Sequence, residues 1–245
     1  MTYKKILNSI ESKGFNKILW NRAGKAMHKY NMIESNDRIA IGISGGKDSM
    51  VLFNTLVRLK LIVDFEFEIF PIYISYTDNI ENISNIKNYI NSLGYDLIIK
   101  TTNIRNIVFT EKNESNPCAL CSRLRRGSLY TLMNDLNLNK LALGHHLDDI
   151  IETYFMNMFY QGNIKQMLPK YISEEYGFHI IRPLSYVTEN TIIKYTNKVD
   201  IPILISDCSY NNSKESKRKK MKDIINLLEK DNKDIRSCIK KALDI

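Results

Sequence analysis

Long apolar runs are absent from this chain of 245 residues. None approaches the ~20 residues that a membrane-spanning helix needs, and residues 1–8 lack the apolar stretch of a secretion signal. We therefore expect a cytoplasmic protein.

Cysteine is also scarce, with 4 residues, and in a reducing compartment these favour thiolate chemistry or metal ligation over structural disulfides. The length and a hydrophobic content of 44% allow one sizeable core with a small appendage.

The Walker A sequence, Gly-x-x-x-x-Gly-Lys-Ser/Thr, is absent as well. In its place a Ser-Gly-Gly-Lys-Asp-Ser segment lies between apolar runs at 39–43 and 50–53. A strand that ends in a glycine turn and continues as a helix directs backbone N–H groups and a positive helix dipole at one point, which suits a phosphate. The segment resembles the PP-loop of the ATP pyrophosphatases, and six matching residues count against a plain glycine turn. The predicted ATP ligands are Ser44, Gly45, Gly46, Lys47, Asp48 and Ser49.

Strand-like and helix-like segments alternate along the chain, which is typical of a parallel α/β sheet flanked by helices. The predicted strands begin near 38 and cover 69–74, 96–99 and 140–144, with an extended stretch at 201–205. The first predicted helix ends at about residue 30. The others cover residues 48–60, 79–93, 147–159, 191–199 and 217 to near the end. We divide the chain into an N-terminal helical segment (1–36), a catalytic α/β domain of Rossmann type (37–210) and a basic helical segment (211–245).

Ligands of such sheets bind beyond the carboxyl ends of the strands. Ser44, residues 75–78 and residues 144–149 each follow a predicted strand. We expect them to line one pocket, with Ile74 at the end of the second strand among the nucleotide contacts.

The segment at 144–149 reads Gly-His-His-Leu-Asp-Asp. Two carboxylates at a helix start suit the helix dipole on structural grounds alone. Their place at a strand end favours a second role, in which one carboxylate holds Mg²⁺ against the ATP phosphates. Two neighbouring histidines rarely face the same way, so nucleotide or substrate contacts are favoured over metal for them. The predicted site residues here are Gly144, His145, Asp148 and Asp149, with Asp149 and Asp48 expected to be catalytic.

A Cys-x-x-Cys pair, Cys118 and Cys121, is followed by Cys208. The pair alone fits zinc, a redox dithiol or iron–sulfur ligation. No second close pair completes a structural zinc site, whereas three thiolates suit a [4Fe–4S] cluster with one open iron. Cys238, in a polar helical segment, is left out of the site.

The net charge of +8 is unevenly distributed. Arginines follow the cysteine pair directly, and lysines cluster between 214 and 222. A polyanionic partner and a solvated helix face explain the lysine cluster equally well, while guanidinium groups bind phosphate in a fixed geometry. The predicted RNA contacts are Arg123, Arg125, Arg126, Lys217, Arg218, Lys219 and Lys220.

These segments together resemble the tRNA 2-thiocytidine synthetases, over most of the chain from about Asn21 to Ile205. The matching stretches are 44–49, 118–127 (the most specific), 143–149, and 157–160 with Gly162. The resemblance implies a [4Fe–4S] cluster on Cys118, Cys121 and a third cysteine, ATP in the PP-loop pocket, and thiolation of cytidine 32 in the anticodon loop. One segment departs from it: residues 207–210, Asp-Cys-Ser-Tyr, are closer to the 2-thiouridine synthetases. Cys208 remains the expected third ligand, and 2-thiouridine becomes the second candidate product.

The implied reaction adenylates the C2 oxygen of the base, releases pyrophosphate and then replaces AMP with sulfur. The expected partners are tRNA and a sulfur donor, either sulfide or a cysteine desulfurase, and a homodimer is one assembly the chain allows. Two other functions stay open. A PP-loop enzyme of the lysidine or amide-forming type would need no cysteines, and an RNA-binding nucleotide or cluster sensor would need no turnover.

Overall fold

A computed structural model describes residues 8, 10–11, 14–76, 83–108, 117–204 and 217–245, without the side chain of Cys118. Its sheet has six strands in the order β3-β2-β1-β4-β6-β5. All neighbouring strands are parallel except β5 and β6, which are antiparallel. The strands are β1 (Arg38–Ile43), β2 (Glu68–Ile74), β3 (Ile98–Lys100), β4 (Lys140–Ala142), β5 (Lys170–Ile172) and β6 (His179–Ile181).

Helices cover both faces of the sheet. A π-helical turn, Asn16–Trp20, leads into the first of them. The helices are α1 (Asn21–Lys29), α2 (Lys47–Ile62), α3 (Ser84–Ser92), α4 (Ile104–Asn106), α5 (Pro117–Asp135), α6 (Leu147–Gln161), α7 (Glu189–Val199), α8 (Lys217–Asp231) and α9 (Ile235–Ala242). The predicted α/β fold with a largely parallel sheet is confirmed.

The central strand β1 explains why the core has two halves. Successive strand residues point to opposite faces, so Ile39, Ile41 and Ile43 pack with α1, α2, α3 and α7, while Ala40 packs with α5 on the other face. Burial on both faces accounts for the nearly continuous apolar sequence of β1. The C-terminal helices join the first half, through Ile225 among others. The boundaries of the three predicted segments remain a prediction.

Three predicted segments differ from the structure. The stretch at 201–204 joins no sheet, and residue 205 lies outside the described residues. The predicted C-terminal helix is two helices, because the chain turns at 232–234. The predicted helix at 79–93 is described only from 83 onward, as α3. Among the described residues no helix is long and apolar enough to cross a membrane.

Candidate active site

The loop between β1 and α2 is held in shape by its own serines. The Ser44 N–H donates to Ser49 Oγ at 3.1 Å, and Gly46 N–H donates to Ser44 Oγ at 3.2 Å. Ser49 Oγ in turn donates to the Gly46 carbonyl at 2.9 Å. The loop therefore has the form of an anion-binding turn at the start of α2.

Gly45 is required by this turn on two grounds. Its φ is +84°, which L side chains rarely adopt, and a Cβ would lie 2.4 Å from Leu204 Cδ1. Leu204 is tied to the same loop, because its N–H donates to the Gly45 carbonyl at 2.9 Å. The last described residue before the 205–216 gap is thus anchored on the phosphate loop.

The turn after β4 packs directly on the first turn of α2. A Cβ at Gly144 would lie 2.9 Å from the carbonyl carbon and oxygen of Asp48 and from the nitrogen of Ser49. Close approach of two backbones therefore requires glycine here. The turn ends in a capping box at α6, where Asp149 Oδ2 accepts the His146 N–H at 3.1 Å and His146 Nδ1 accepts the Asp149 N–H at 3.4 Å.

A cavity of about 400 Å³ opens on one side of the loop, at the carboxyl ends of the strands. Apolar groups of β1 and β2, including Ile74, form part of its wall, and Arg182 and His145 form another part. Arg182 is buried, and its Nε donates to His145 Nδ1 at 3.3 Å. Burial and the nearby Arg182 lower the pKa of His145 to about 4, so that this imidazole is neutral at pH 7.

A second cavity of about 280 Å³ lies on the other side of the loop, and charged side chains surround it. Lys47 Nζ contacts Asp48 Oδ1 at 3.3 Å and Glu189 Oε1 at 3.1 Å. His146 Nε2 lies 3.7 Å from Asp48 Oδ1 and 3.4 Å from Asp149 Oδ2. The remaining charged residues of the wall are Glu152, Arg218, Lys219 and Lys222.

Burial shifts the pKa of several acids around this cavity. It raises the pKa of Asp48 above its ordinary value, although Lys47 and His146 oppose the shift. It raises the pKa of Glu152 to about 7. Glu189 moves in the opposite direction: burial disfavours its ionised form, but hydrogen bonds from Lys222 and Lys47 outweigh burial and lower its pKa to about 2.

The structure divides the predicted single pocket into two cavities. Ser44, Ile74 and His145 line the larger one, and Lys47, Asp48 and Asp149 line the smaller one. The phosphate loop separates them. Ser75 and Tyr76 of the predicted turn at 75–78 are described, and the other two residues lie outside the described part.

Asp148 lies outside both cavity walls and has structural partners. Its Oδ2 accepts the Glu189 N–H at 2.7 Å, and its Oδ1 accepts Arg236 Nε at 2.6 Å. Of the predicted carboxylate pair, Asp149 faces the smaller cavity, whereas Asp148 fastens α7 and α9 to the start of α6. These contacts give Asp148 an anchoring role, and its predicted contact with the nucleotide stays a prediction.

The cysteine pair lies in the first two turns of α5, which the sequence reasoning did not identify as a helix. Cys121 is partly buried and packs against the second half of the core. The next residues of α5 that reach the larger cavity are Ser122 and Arg125. The side chain of Cys118 and all of Cys208 lie outside the described residues, and Cys238 is exposed on α9. Within the described residues no group of three or more His, Cys, Asp or Glu side chains could hold a metal ion.

The predicted RNA contacts separate into two sets. Arg123 is exposed on α5, while Arg125 and Arg126 line the larger cavity. On α8, Arg218 faces the smaller cavity, where its Nη1 donates to Asp149 Oδ1 at 2.6 Å. The rest of the α8 set comprises Lys217, Lys219 and Lys220, with Lys217 Nζ 4.8 Å from the centre of the Tyr160 ring.

Sequence reasoning did not select Arg182, Glu189 or Arg236. Arg182 follows β6, a strand of three residues that is too short to show a period. Glu189 opens α7, where an acid in the first turn is a common helix feature and gives no sign of its contact with Lys47.

Comparison with known proteins gives three findings. A family described as the PP-loop domain matches residues 17–227. The tRNA-cytidine(32) 2-sulfurtransferase of Geotalea uraniireducens is 37% identical over 96% of this chain and 93% of its own, and that of Pelobacter propionicus is 37% identical over 92% and 84%. The solved U34-tRNA thiolase NcsA from Methanococcus maripaludis, determined with its [4Fe–4S] cluster, has a TM-score of 0.73 at 22% identity, covering 91% of this chain and 76% of its own. At that identity the likeness shows a shared fold.

Proposed function

This chain belongs to the PP-loop family and, within it, to the tRNA-cytidine(32) 2-sulfurtransferases, and on that premise we propose that it thiolates a tRNA pyrimidine at C2 with ATP as the activating reagent. The observation that carries the proposal is the phosphate loop placed between two cavities of different character. One is partly apolar and bordered by arginines, and the other is ringed by charges. The first suits a nucleoside and a flipped-out base, and the second suits a polyphosphate.

ATP would lie across the loop. Its nucleoside would occupy the larger cavity near Ile74. The volume of this cavity is in the usual range for a small-molecule site. The α-phosphate would lie at the N–H groups of the loop, with the terminal phosphates directed past Lys47 into the smaller cavity. This places the bond that breaks, between the α- and β-phosphates, at the loop itself.

The carboxylates beside the loop fit a magnesium ion. Asp48 Oδ1 is buried and accepts no hydrogen bond, although Lys47 Nζ lies 3.3 Å away. Asp149 Oδ2 faces the same imidazole as Asp48. Mg²⁺ takes one or two carboxylates together with phosphate oxygens and water, so Asp48 and Asp149 supply enough protein ligands. When bound, the ion would neutralise part of the charge on the triphosphate.

The cysteines fit an iron–sulfur cluster through three thiolates. Cys118 and Cys121 are three residues apart in α5, so they lie on one face of the helix. Cys208 is four residues from Leu204, which is bonded to the phosphate loop. The chain therefore leaves the described residues at the phosphate loop, and Ser122, next to Cys121, lines the larger cavity. A bound [4Fe–4S] cluster would hold sulfide as the nucleophile.

The surface around the larger cavity suits an RNA backbone. Arg123 and Arg126 are exposed beside the cysteine pair, and guanidinium groups contact phosphates without reading the base. Base choice then comes from a nucleotide of the anticodon loop that turns into the larger cavity, because loop bases are already partly unstacked. The proposed base is cytidine 32, and the proposed compartment is the cytoplasm.

The proposed reaction has two steps, adenylation of the base and then transfer of sulfur. The C2 oxygen of the base attacks the α-phosphorus, the bond to the β-phosphate oxygen breaks, and pyrophosphate leaves. Hydrosulfide then attacks C2, AMP leaves with the original C2 oxygen, and the S–H proton passes to solvent. Where a cysteine desulfurase is the donor, its persulfide sulfur is first released as sulfide through two-electron reduction by a thiol. The loop and Lys47 position the phosphates, so the chain contributes orientation and charge to the first step.

We expect ATP turnover to yield AMP and pyrophosphate, and to require tRNA. Chromatography of the nucleotides with and without unmodified tRNA measures both points, with Asp48→Asn as the inactive control because it removes the charge beside the loop. Formation of ADP and phosphate would contradict the assignment of the loop. Equal turnover without tRNA would contradict the assignment of the substrate.

A further inference from the structure

Helix α8 supplies three cations to the wall of the smaller cavity, Arg218, Lys219 and Lys222. Arg218 and Lys222 each contact a carboxylate of that wall. Arg218 Nη1 lies 2.6 Å from Asp149 Oδ1, and Lys222 Nζ lies 2.5 Å from Glu189 Oε2. The other oxygen of Glu189 contacts Lys47 of the phosphate loop at 3.1 Å. The carboxylate of Glu189 therefore bridges the loop and α8.

The spacing of these cations separates them from the rest of the basic run. Arg218 and Lys222 are four residues apart, so they share one face of α8. Lys220 lies about 200° around the helix from Arg218 by the 3.6-residue period and lines neither cavity. Lys217 lies over the Tyr160 ring. The basic cluster of α8 thus has members that line the smaller cavity, among them Arg218 and Lys222, and members that do not, such as Lys217 and Lys220.

The position of α8 is fixed by neighbouring contacts. Arg236 of α9 donates to Asp148 Oδ1 at 2.6 Å and also contacts Glu229 of α8 at 2.5 Å. Asp148 is at the start of α6, beside Asp149. The two inward cations are therefore held next to the phosphate loop before any ligand binds.

A triphosphate entering this cavity would meet three cations already held by carboxylates. Phosphate offers more charge and more acceptor oxygens than a carboxylate, so it can replace Glu189 and Asp149 as the partner of Lys47, Lys222 and Arg218. The cavity of about 280 Å³ has room for a diphosphate group.

We propose that Arg218 and Lys222 bind the β- and γ-phosphates of ATP, and afterwards the pyrophosphate that leaves, so that the inward face of α8 belongs to the nucleotide site and not to the RNA surface. The inference rests on the proposed function only in placing ATP at the phosphate loop. The inference adds Arg218 and Lys222 to the ligands of the terminal phosphates. Both residues come from α8 and not from the phosphate loop.

The test compares ligands that differ in their terminal phosphates. Binding of AMP and of α,β-methylene-ATP to the anaerobically purified protein is measured by calorimetry for Arg218→Gln, Lys222→Gln and the matched control Lys220→Gln. We expect each inward variant to bind α,β-methylene-ATP about 10- to 100-fold more weakly, the usual loss for one charge-assisted hydrogen bond, with AMP binding changed less than about twofold. The control should bind both ligands as the unmodified protein does.

Three results would overturn the inference. The first is unchanged binding of α,β-methylene-ATP to both inward variants, and the second is an equal loss of AMP binding, which would indicate a distorted loop. The third, from a separate filter-binding measurement with tRNA on the same variants, is a loss confined to tRNA binding, which would assign these residues to the RNA surface. No tRNA enters the nucleotide measurement, so a failure to thiolate tRNA would reject the proposed function and leave this result standing.

Discussion

An alanine in place of Gly144 is expected to abolish detectable ATP binding. Its Cβ would lie 2.9 Å from three backbone atoms at Asp48 and Ser49, and backbone cannot rotate away as a side chain can. The first turn of α2 would have to move, and with it the N–H groups of the loop. A hydrogen bond from an N–H group to a charged phosphate contributes about 1.5–3 kcal/mol, so the loss of two of them weakens ATP binding by about 100-fold or more.

Calorimetry with ATP measures this loss, and Gly24→Ala is the matched control. Gly24 lies in α1, where an added Cβ meets nothing within 4 Å. The control should bind ATP normally and gain a little stability, since alanine favours a helix by up to about 1 kcal/mol over glycine. Thermal unfolding shows whether the Gly144 variant is still folded. Normal ATP binding by a folded Gly144→Ala protein would contradict the close packing described for this turn.

Serine in place of Cys118, Cys121 or Cys208 is expected to remove the iron–sulfur cluster and with it all thiolation. A hydroxyl is a far poorer ligand for iron than a thiolate. After anaerobic reconstitution, each variant should therefore contain far fewer iron atoms per chain than the four of a [4Fe–4S] cluster. ATP binding should persist in all three, because none of the cysteines belongs to the phosphate loop.

Cys238→Ser is the matched control for the cysteine series. Cys238 is exposed on α9, and its replacement should leave iron content and thiolation unchanged. If the Cys238 variant lost iron while the Cys208 variant retained it, the choice of third ligand would be wrong. If all four variants retained activity, the proposed role of the cluster would fail.

The sequence predicted best those parts of the fold in which local signals agree. The helix predicted at 147–159 is observed as Leu147–Gln161, because a capping box starts it and Gly162, with φ 63°, ends it. The helix that carries the cysteine pair escaped prediction. Gly127 lies in its middle, where glycine is unfavourable, and its apolar residues show no clear helical period.

The remaining misses depend on long-range contacts. Strands β5 and β6 have three residues each, too few for an alternation to be visible. The positions of the loop residues followed from the motif alone, since a phosphate turn is a local structure. The partners of those residues did not, because Glu189 meets Lys47 and Arg218 meets Asp149 only after the chain has folded. Charge clustering on α8 fitted a polyanion partner and a solvated helix face equally well, and it could not show which face of the helix meets which anion.

This chain is expected to place sulfur on cytidine 32 of tRNA. The most direct measurement incubates the reconstituted protein with ATP, labelled sulfide and an unmodified tRNA, and then separates the nucleosides after digestion. The same tRNA with uridine at position 32 serves as the control substrate. We predict ATP-dependent label in 2-thiocytidine from the first tRNA and none from the control. Label in 2-thiouridine, or in neither nucleoside, would contradict the account.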